Sequence, residues 1–542
     1  MVKPDFTQCR LRKFLGRFSL NSKTTGFSLK RATATLFLVI LPLVLLVTLL
    51  HELSGLRTGI WLSTSRSQAQ GPRESSETAR KFLSRAHGQN PKRLSDETYP
   101  LQRPLNPKTV MSTVFLRESN INASKFDLRR GEIRAYRPHG VAAHFFLQLG
   151  TYRSSPRAFS TAGSIQRSFE DWFKPRFQCE WIGSNGTAVR AKEAKKIRPA
   201  QSFKGFYDSL IIICHFDEDV GTDGLGGKLY MKYWHQVDKY RTPETFLALV
   251  EAPSEYNASM FEPPFAYDIV YCGSPIYGDI SPQRVREWVA YHTYVFGNRS
   301  HFILYDAGGF HDDVQKVLEP WVKLGRVTVQ NIQQIEMYPA YYHHQHTVVN
   351  DCLMKSQFLA NWTFFFDMDE YLFVEPPHSI TKLLEEKTQQ DVSVIRYTGK
   401  RMSTSMCSLP KANVDNATRD AINSKLWGFE KFLLHWHWEH GPRDPKYAVQ
   451  ARHMWAVEIH NAVLARRGQN RLLQYRDHIW FHHFHGFIIN RAEGCRDFVE
   501  ASENKAIAVG KSQYSGDYTI ARLAKDIKQF EQAMVGKLPF IL

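Results

Sequence analysis

Between about residues 265 and 374, short apolar runs typical of strands take turns with longer segments that have the hydrophobic period of a helix. Four short apolar runs predict strands, namely YDIVYCG, HFILYDAGG, RVTVQNI and WTFFFDMDEYLFV. Longer runs of helical periodicity separate them. The first, SPQRVREWVAYHTYVFG, predicts an amphipathic helix with Ser281 as N-cap, Pro282 at the first helical position and Gly297 at the end. Strands and helices at this spacing predict an α/β fold with a mainly parallel sheet and helices on both faces.

The other two helical runs complete this pattern. DDVQKVLEPWVKLG contains Pro320, which predicts an interrupted helix. HQHTVVNDCLMKSQFLAN, before the fourth strand, predicts an uninterrupted one. After the fourth strand, IRYTGKRMSTSMC is interpreted as a loop.

The region upstream, about residues 111–255, has a different pattern. Short apolar stretches such as AAHFFLQL and DSLIIICHF alternate with turn residues, and no long helical period occurs. This pattern predicts a small, mostly β domain. Its aromatic residues Trp172, Phe173 and Trp181 could stack on sugar rings or simply fill the core of a sandwich.

One uncharged apolar run, residues 32–50, is close to the length that a membrane-spanning helix needs. Eight Lys and Arg residues and a single Asp precede it, which places the N-terminus in the cytosol. A cleaved signal peptide would have a shorter apolar core and a small-residue cleavage site. We therefore expect a signal anchor with a basic tail before it and, over residues 51–110, a polar stem.

The net charge of +17 follows this topology. Residues 1–110 contribute +12 of it, and the remaining residues only +5. The basic character therefore indicates membrane orientation rather than nucleic-acid binding.

Sequons and cysteines are consistent with a lumenal location for everything after residue 50. The six sequons begin at Asn122, Asn185, Asn257, Asn298, Asn361 and Asn416, and Asn361 enters an apolar run that disfavours its modification. Six cysteines follow the anchor, and the sequence does not choose among their pairings. Cys272 and Cys352 in particular could equally be buried thiols.

The stretch FFFDMDEYLF places three carboxylates within one of the most apolar parts of the chain. Burying charges without partners costs several kcal/mol per ion, so a partner is expected. Asp367 and Asp369 end a predicted strand, where open α/β sheets bind their ligands. Two carboxylate ligands suit a hard cation such as Mn²⁺ or Mg²⁺ that also holds a diphosphate. The simpler alternative is a turn whose aspartates cap backbone amides.

Further polar residues could complete such a site. In FHHFHG, an extended backbone would put His483 and His485 on one face, where imidazoles could join the metal, and His482 on the other. In WGFEK, Glu430 could deprotonate an acceptor hydroxyl while Trp427 stacks on a sugar. Each of these residues could instead have a purely structural role.

Many motifs in order, among them SPQRVREWVAYH, YYHHQHTVVNDCL, FFFDMDEYLFV, WGFEK, KYAVQ and FHHFHG, resemble glycosyltransferase family 92, and within it the plant galactan β-1,4-galactosyltransferases. The resemblance covers about residues 200–500. It implies a GT-A fold, a Golgi type II membrane protein, Mn²⁺ or Mg²⁺, and UDP-galactose as donor. It also implies an inverting transfer to the β-1,4-galactan side chains of pectic rhamnogalacturonan I.

The resemblance also implies roles for single residues. Asp367 and Asp369 would bind the metal and the nucleotide sugar, His485 and His483 would be further metal ligands, and Glu430 would be the base. Ser274, Arg286 and Asp306 would line the nucleotide, and Trp427 would contact the acceptor. The implied domains are a basic tail (1–31), an anchor (32–50), a stem (51–110), a carbohydrate-binding-module-like domain (111–255) and a GT-A catalytic domain (256–542).

Several alternatives stay open from sequence alone. The loop IRYTGKRMSTSMC and the stretch HWHWEHGPRD differ from the family pattern, so another donor or acceptor on the same fold is the first alternative. A carbohydrate-binding protein without catalytic activity is the second. The expected partners are a nucleotide sugar, a polysaccharide acceptor and a membrane, and no nucleic acid is expected. Whether the protein forms a homodimer is left open by the sequence.

Overall fold

The structure is a computed structural model that describes residues 134–135, 144–167, 170, 174–200, 205–234, 244–409, 415–437, 445–466, 472–474, 478–489, 497–500, 503, 505–510 and 512–539. All of them fall within one compact unit, Leu101–Leu542. The expected tail, anchor and stem lie outside the described residues. Among the described helices, none has both the length and the apolar character needed to cross a bilayer.

The described residues between 134 and 255 form mostly strands, as the pattern of this region predicts. They are β1 (Arg134–Ala135), β2 (Phe146–Ser155), β3 (Ala158–Gln166), β4 (Arg176–Gly183), β5 (Ala188–Arg190), β6 (Glu193–Ile197), β7 (Tyr207–His215), β8 (Gly227–Trp234) and β9 (Glu244–Glu251). One sheet has the order β1-β2-β3-β7-β6 and the other the order β5-β4-β8-β9. Neighbouring strands in both sheets are antiparallel.

The space between these two sheets is filled by aromatic and aliphatic side chains. Trp181 is only 2% exposed, and its ring stacks on Phe159 with 5.3 Å between centroids. Trp181 is therefore a core residue and has no face open to a sugar, whereas Trp172 and Phe173 lie outside the described residues. A disulfide between Cys179 on β4 and Cys214 on β7 joins the two sheets covalently.

The remainder of the chain alternates helices and strands. The helices are α1 (Pro282–Phe296), α2 (Asp312–Lys323), α3 (Gln345–Ser356), α4 (Ile380–Gln389), α5 (Asn416–Lys425), α6 (Gly428–Lys431) and α7 (Ala524–Val535). The strands are β10 (Tyr267–Cys272), β11 (Ser300–Asp306), β12 (Val327–Asn331), β13 (Ala360–Phe365), β14 (Glu370–Val374), β15 (Val394–Arg401), β16 (Met406–Leu409), β17 (Leu434–His437), β18 (Lys446–Val449), β19 (Met454–Val457), β20 (Ala462–Ala465), β21 (Leu472–Gln474), β22 (Ile479–His483), β23 (Asp497–Glu500), β24 (Ile507–Val509) and β25 (Ser512–Gly516).

The main sheet is mixed rather than mainly parallel. Its order is β12-β11-β10-β13-β18-β15-β22-β14, with β21 beside β15. Strands β10 to β13 are parallel, as predicted, but β18 is antiparallel to both of its neighbours, and β14 is antiparallel to β22. Because β11 and β13 flank β10 on opposite sides, the order of the parallel strands reverses there. A crevice at such a reversal is where open α/β sheets bind ligands.

Helix α1 begins and ends where the sequence predicts. The Ser281 hydroxyl accepts a hydrogen bond from the Arg284 amide, and Gly297 ends the helix at a φ of 78°. The helix is not amphipathic in its surroundings, however, because nearly all of its side chains are buried, Arg286 and Glu287 included. Helix α2 also differs from prediction, since it continues through Pro320 without a break.

The β-rich region and the α/β region share a hydrophobic core around α3. Leu147, Leu149 and Tyr207 from the β-rich region pack with Val348 and Leu353 of α3. This contact buries one face of α3, while its other neighbours are β19 of a separate two-stranded sheet and β10 and β13 of the main sheet. The β-rich region thus supports the helix that leads into β13.

Two specific links reinforce this shared core. The buried carboxylate of Asp351 on α3 accepts hydrogen bonds from Tyr152 of β2 (2.8 Å) and Tyr305 of β11 (2.7 Å). A disulfide joins Cys272, at the end of β10, to Cys352 on α3. These two cysteines, which the sequence left open as thiols or bridge partners, are therefore paired.

Candidate active site

The carboxylates of FFFDMDEYLF lie in a turn between two strands, not in one continuous strand as predicted. β13 ends at Phe365 and β14 begins at Glu370. In the turn, Phe366 and Met368 are 3% and 4% exposed and point into the core, whereas Asp367 and Asp369 are partly exposed. The apolar residues anchor the turn, and the two aspartates between them face the crevice.

Asp367 has a partner for each of its oxygens. Its Oδ1 accepts a hydrogen bond from the Ser274 hydroxyl, and its Oδ2 lies 2.6 Å from the Nζ of Lys446. Burial opposes ionisation of Asp367, but the Lys446 ammonium and the two hydrogen bonds outweigh it and lower the pKa to about 2. Asp367 is therefore an anion held in one orientation. Lys446 belongs to the motif KYAVQ, to which the sequence analysis assigns no role.

Asp369 lies with two histidines in an arrangement that could hold a metal ion. The candidate ligand atoms of Asp369, His483 and His485 are all within 4.8 Å of one another. His483 Nε2 is 3.6 Å from Asp369 Oδ1, and Asp369 Oδ2 accepts a hydrogen bond from the Gly486 amide (3.0 Å). One carboxylate and two imidazoles form a donor set that fits Mn²⁺ and other first-row divalent cations.

The three histidines of FHHFHG separate as the alternation of a strand requires. His482 is fully buried on the other side of β22, with its Nε2 3.3 Å from Asp517 Oδ2. His483 is partly exposed beside the carboxylates. Burial opposes protonation of His483, but the adjacent Asp369 and Glu370 outweigh it and raise its pKa. The site therefore combines several acidic groups with basic groups that balance their charge.

Glu370 is the third carboxylate and the most deeply buried, at 1% exposed. Its Oε2 accepts a hydrogen bond from the Asp367 amide (2.8 Å) and lies 3.5 Å from the Nζ of Lys446. Burial raises its pKa to about 7, with help from the two aspartates and against the effect of Lys446. Glu370 thus braces the turn from inside, a role that the sequence did not reveal.

Ser274 lies in the crevice, but Asp306 does not face it. Ser274 follows β10, and its hydroxyl receives a hydrogen bond from Gln345 while it donates to Asp367. Asp306 Oδ1 accepts from the amides of Gly308 (2.8 Å) and Gly309 (3.0 Å), and its Oδ2 accepts from Gln333 (2.8 Å). One oxygen of Asp306 thus stabilises the turn after β11 and the other holds Gln333, which follows β12, while the nucleotide role of Asp306 stays a prediction.

An aromatic pocket of about 430 Å³ ends at His344, the residue before the Gln345 that donates to Ser274. Its lining residues are Tyr277, Glu336, Tyr338, Pro339, Ala340, Tyr341, Tyr342, His343 and His344. The Tyr277 ring stacks on His343, with 3.7 Å between centroids. The loop enters left-handed backbone at three consecutive residues, Tyr342, His343 and His344, with φ of 40°, 56° and 63°. Strain of this kind is typical of functional sites.

Arg286, Trp427 and Glu430 form a separate group against helix α7. Arg286 makes a bidentate ion pair with Glu531 (2.8 and 2.7 Å). Trp427 is 2% exposed, beneath Arg286 and Lys528. Within the described residues, these contacts lead to α7 rather than to the carboxylate turn. Both side chains are enclosed by protein, and the nucleotide role of Arg286 and sugar stacking on Trp427 stay predictions.

Glu430 makes structural contacts but keeps part of its side chain exposed. Its Oε2 accepts a hydrogen bond from the Trp427 amide (2.7 Å), which caps α6, and it also pairs with Lys528. The side chain is 16% exposed and borders an open cavity of about 630 Å³, together with Tyr518 and Arg522. Glu430 therefore remains accessible from solvent, unlike Trp427.

Two acidic residues and two histidines at the strand-order reversal of an α/β sheet form a site that can bind a metal and a phosphorylated ligand. Residues 267–508 match the model of glycosyltransferase family 92. The chain is 36% identical over 406 residues to galactan beta-1,4-galactosyltransferase GALS1 of Arabidopsis thaliana, covering 74% of this chain and 79% of that protein. It is 32% identical over 414 residues to GALS2 of the same plant, covering 74% and 76%. The chain therefore belongs to glycosyltransferase family 92.

Solved structures show only weak similarity to the whole chain. S. aureus TarS 1–349 has a TM-score of 0.22 at 11% identity and covers 40% of this chain and 60% of that one. A galactosyltransferase LgtC complex with donor and acceptor sugar analogs has a TM-score of 0.18 at 11% identity and covers 34% and 58%. These TM-scores are too low to support a conclusion about this protein.

Proposed function

We propose that the protein is an inverting GT-A galactosyltransferase that moves galactose from UDP-galactose to β-1,4-galactan, in particular the side chains of pectic rhamnogalacturonan I. The names of its relatives support galactose and galactan. The observation that carries the proposal is the cluster of Asp369, His483 and His485 next to Asp367, at the end of β13. This is where a nucleotide sugar and a cation would meet in such a sheet.

The nucleoside part of the donor would occupy the aromatic pocket. The pocket's volume of about 430 Å³ falls in the range of small-molecule sites. Tyr277 offers an aromatic surface for a planar base, and Ser274, which precedes it closely in the chain, donates to Asp367. A donor in this position would extend from the pocket to the carboxylates.

Asp369, His483 and His485 would hold the cation. When bound, Mn²⁺ or Mg²⁺ would neutralise the charge that develops on the departing diphosphate. Ser274 and Lys446 keep Asp367 ionised and fixed beside this position. Glu430 is proposed as the base for the acceptor hydroxyl because it borders an open cavity, and because Phe432, just after α6, packs on Phe487, the residue after the Gly486 that donates to Asp369.

We also propose that the enzyme is a type II membrane protein of the Golgi. Disulfides such as Cys179–Cys214 support a secretory compartment, where they form and persist. The sequon asparagines Asn185, Asn257, Asn298 and Asn416 are exposed and open to glycosylation. Asn361 is only partly exposed and donates a hydrogen bond to Asp268 (3.2 Å), which disfavours its modification.

The test uses the full chain purified in detergent, with UDP-galactose, Mn²⁺ and β-1,4-galacto-oligosaccharides, and mass spectrometry of the products. The expected result is stepwise addition of hexose, abolished by a chelator, with linkage analysis giving β-1,4 bonds. Transfer from another UDP-sugar but not from UDP-galactose would overturn the assignment of UDP-galactose as the donor. Galactan binding without any acceptor-stimulated UDP release would overturn catalysis altogether.

A further inference from the structure

Lys446 is a buried cation among the acidic side chains of the turn. Its side chain is 3% exposed, and its Nζ lies 2.6 Å from Asp367 Oδ2 and 3.5 Å from Glu370 Oε2. It is held there by the sheet, because β18 pairs with β13 in a register that sets Tyr447 opposite Phe365. Lys446, one residue before Tyr447, is thereby brought level with the turn that follows β13.

Asp367 consequently already has a cation as its partner. One oxygen receives the Ser274 hydroxyl, and the other receives the ammonium of Lys446. Ser274 is itself fixed by Gln345. The metal-ligand cluster of Asp369, His483 and His485 does not include Asp367. A cation bound directly to Asp367 would also lie within a few ångströms of the ammonium, which would repel it.

From this arrangement we infer that Lys446 is a positioning residue that keeps Asp367 out of the metal's coordination shell. The two aspartates of the turn then have different tasks. Asp369 binds the cation with the two histidines, and Asp367 is held by Lys446 and Ser274. The inference rests on the proposed function only in assuming that the cluster binds a divalent cation.

Removing Lys446 should therefore strengthen cation binding rather than weaken it. Without the ammonium, Asp367 and Glu370 would be left as buried carboxylates with one favourable partner fewer. A divalent cation could then use Asp367 as an additional ligand. If Lys446 only maintained the fold, its removal would weaken cation binding, because a distorted site binds metal less well.

The experiment measures Mn²⁺ binding to the full chain by electron paramagnetic resonance, without donor or acceptor. Asp367→Asn should bind Mn²⁺ within about 3-fold of the unsubstituted protein, whereas Asp369→Asn should weaken binding by about 10- to 100-fold or more. Lys446→Met should strengthen binding by about 10-fold, and the double variant with Asp367→Asn should cancel this gain. Lys232→Met is the matched control, because Lys232 also forms a strand ion pair, with Glu180 (2.8 Å), in the β-rich region.

Equal loss of Mn²⁺ binding in Asp367→Asn and Asp369→Asn would overturn the inference, and so would weaker binding by a folded Lys446→Met. If Lys446→Met does not fold, the two aspartate variants still decide the question. Failure of the proposed function would look different, since Mn²⁺ binding would follow the expected pattern while galactose transfer stayed absent. An unsubstituted chain that binds no Mn²⁺ would overturn both.

Discussion

Replacing Ser164 by alanine should loosen the donor pocket from a distance. Ser164 is a buried residue of β3, and its hydroxyl lies 2.7 Å from His344 Nδ1 and 2.7 Å from Thr347 Oγ1. His344 Nε2 is 2.6 Å from the Tyr338 carbonyl oxygen, which can only accept, so Nε2 carries the proton. Nδ1 of the neutral ring therefore accepts from Ser164, and the β-rich region fixes the last of the three left-handed residues.

The size of the effect follows from these contacts. Each buried hydrogen bond contributes about 1 kcal/mol net, and a buried acceptor left without a donor costs about 1–3 kcal/mol. Losing both contacts of Ser164 should therefore destabilise the protein by about 2–3 kcal/mol. Left-handed backbone costs about 1–3 kcal/mol per residue, so a loop without this support should relax out of it. Donor affinity should fall because Tyr342 and His343 line the pocket.

The assay compares the melting temperature and the KM for UDP-galactose at saturating acceptor. Ser164→Ala should lower the melting temperature and raise the donor KM, with a much smaller change in kcat. Ser160→Ala is the matched control, since Ser160 is a buried residue of the same strand whose hydroxyl contacts only Ser154 (3.1 Å) among the described hydrogen bonds. If both variants showed the same donor KM, the reasoning about the pocket loop would be refuted.

Three further predictions concern the site and pH. Asp369→Asn should keep the Gly486 contact but lower kcat by about 10³-fold or more, in the transfer assay with Mn²⁺; near-normal turnover would contradict the metal site. Glu430→Gln should keep the cap on α6 yet lower kcat by about 10²-fold or more at unchanged donor KM, whereas normal kcat would leave Glu430 only a structural role. The melting temperature should fall as the pH drops from about 6.5 to 4. Burial lowers the pKa of His301 and His344 to about 4, so in this range these two histidines take up protons in the unfolded chain but not in the folded one. A melting temperature that does not change with pH would contradict this.

Much of the α/β region could be predicted from local patterns. The cap at Ser281, the closing Gly297 and the strands of β10 to β13 follow from hydrophobic periodicity and turn chemistry. The sequence also predicts that Asp367 and Asp369 follow a buried strand, because a continuous apolar run ends directly before Asp367. These features depend on residues close together in sequence, which is why one sequence suffices for them.

What the sequence could not give depends on distant segments. Lys446 meets Asp367 only because β18 returns antiparallel to β13, a pairing that no local pattern specifies. The resemblance implies a nucleotide contact for Arg286, yet α7 supplies Glu531 as its partner. Trp427 is enclosed by the same helix, a contact that no local pattern specifies.

The shared core around α3 limits how this enzyme can be shortened or recombined. A fragment starting near residue 256 would strip Leu147, Leu149 and Tyr207 from α3 and leave an apolar face in water. Exchanging the β-rich region between related enzymes would likewise succeed only if the residues facing α3 were exchanged as a matched set. The β-rich region is thus part of the scaffold that supports α3 and the aromatic pocket beside it, and not a detachable appendage.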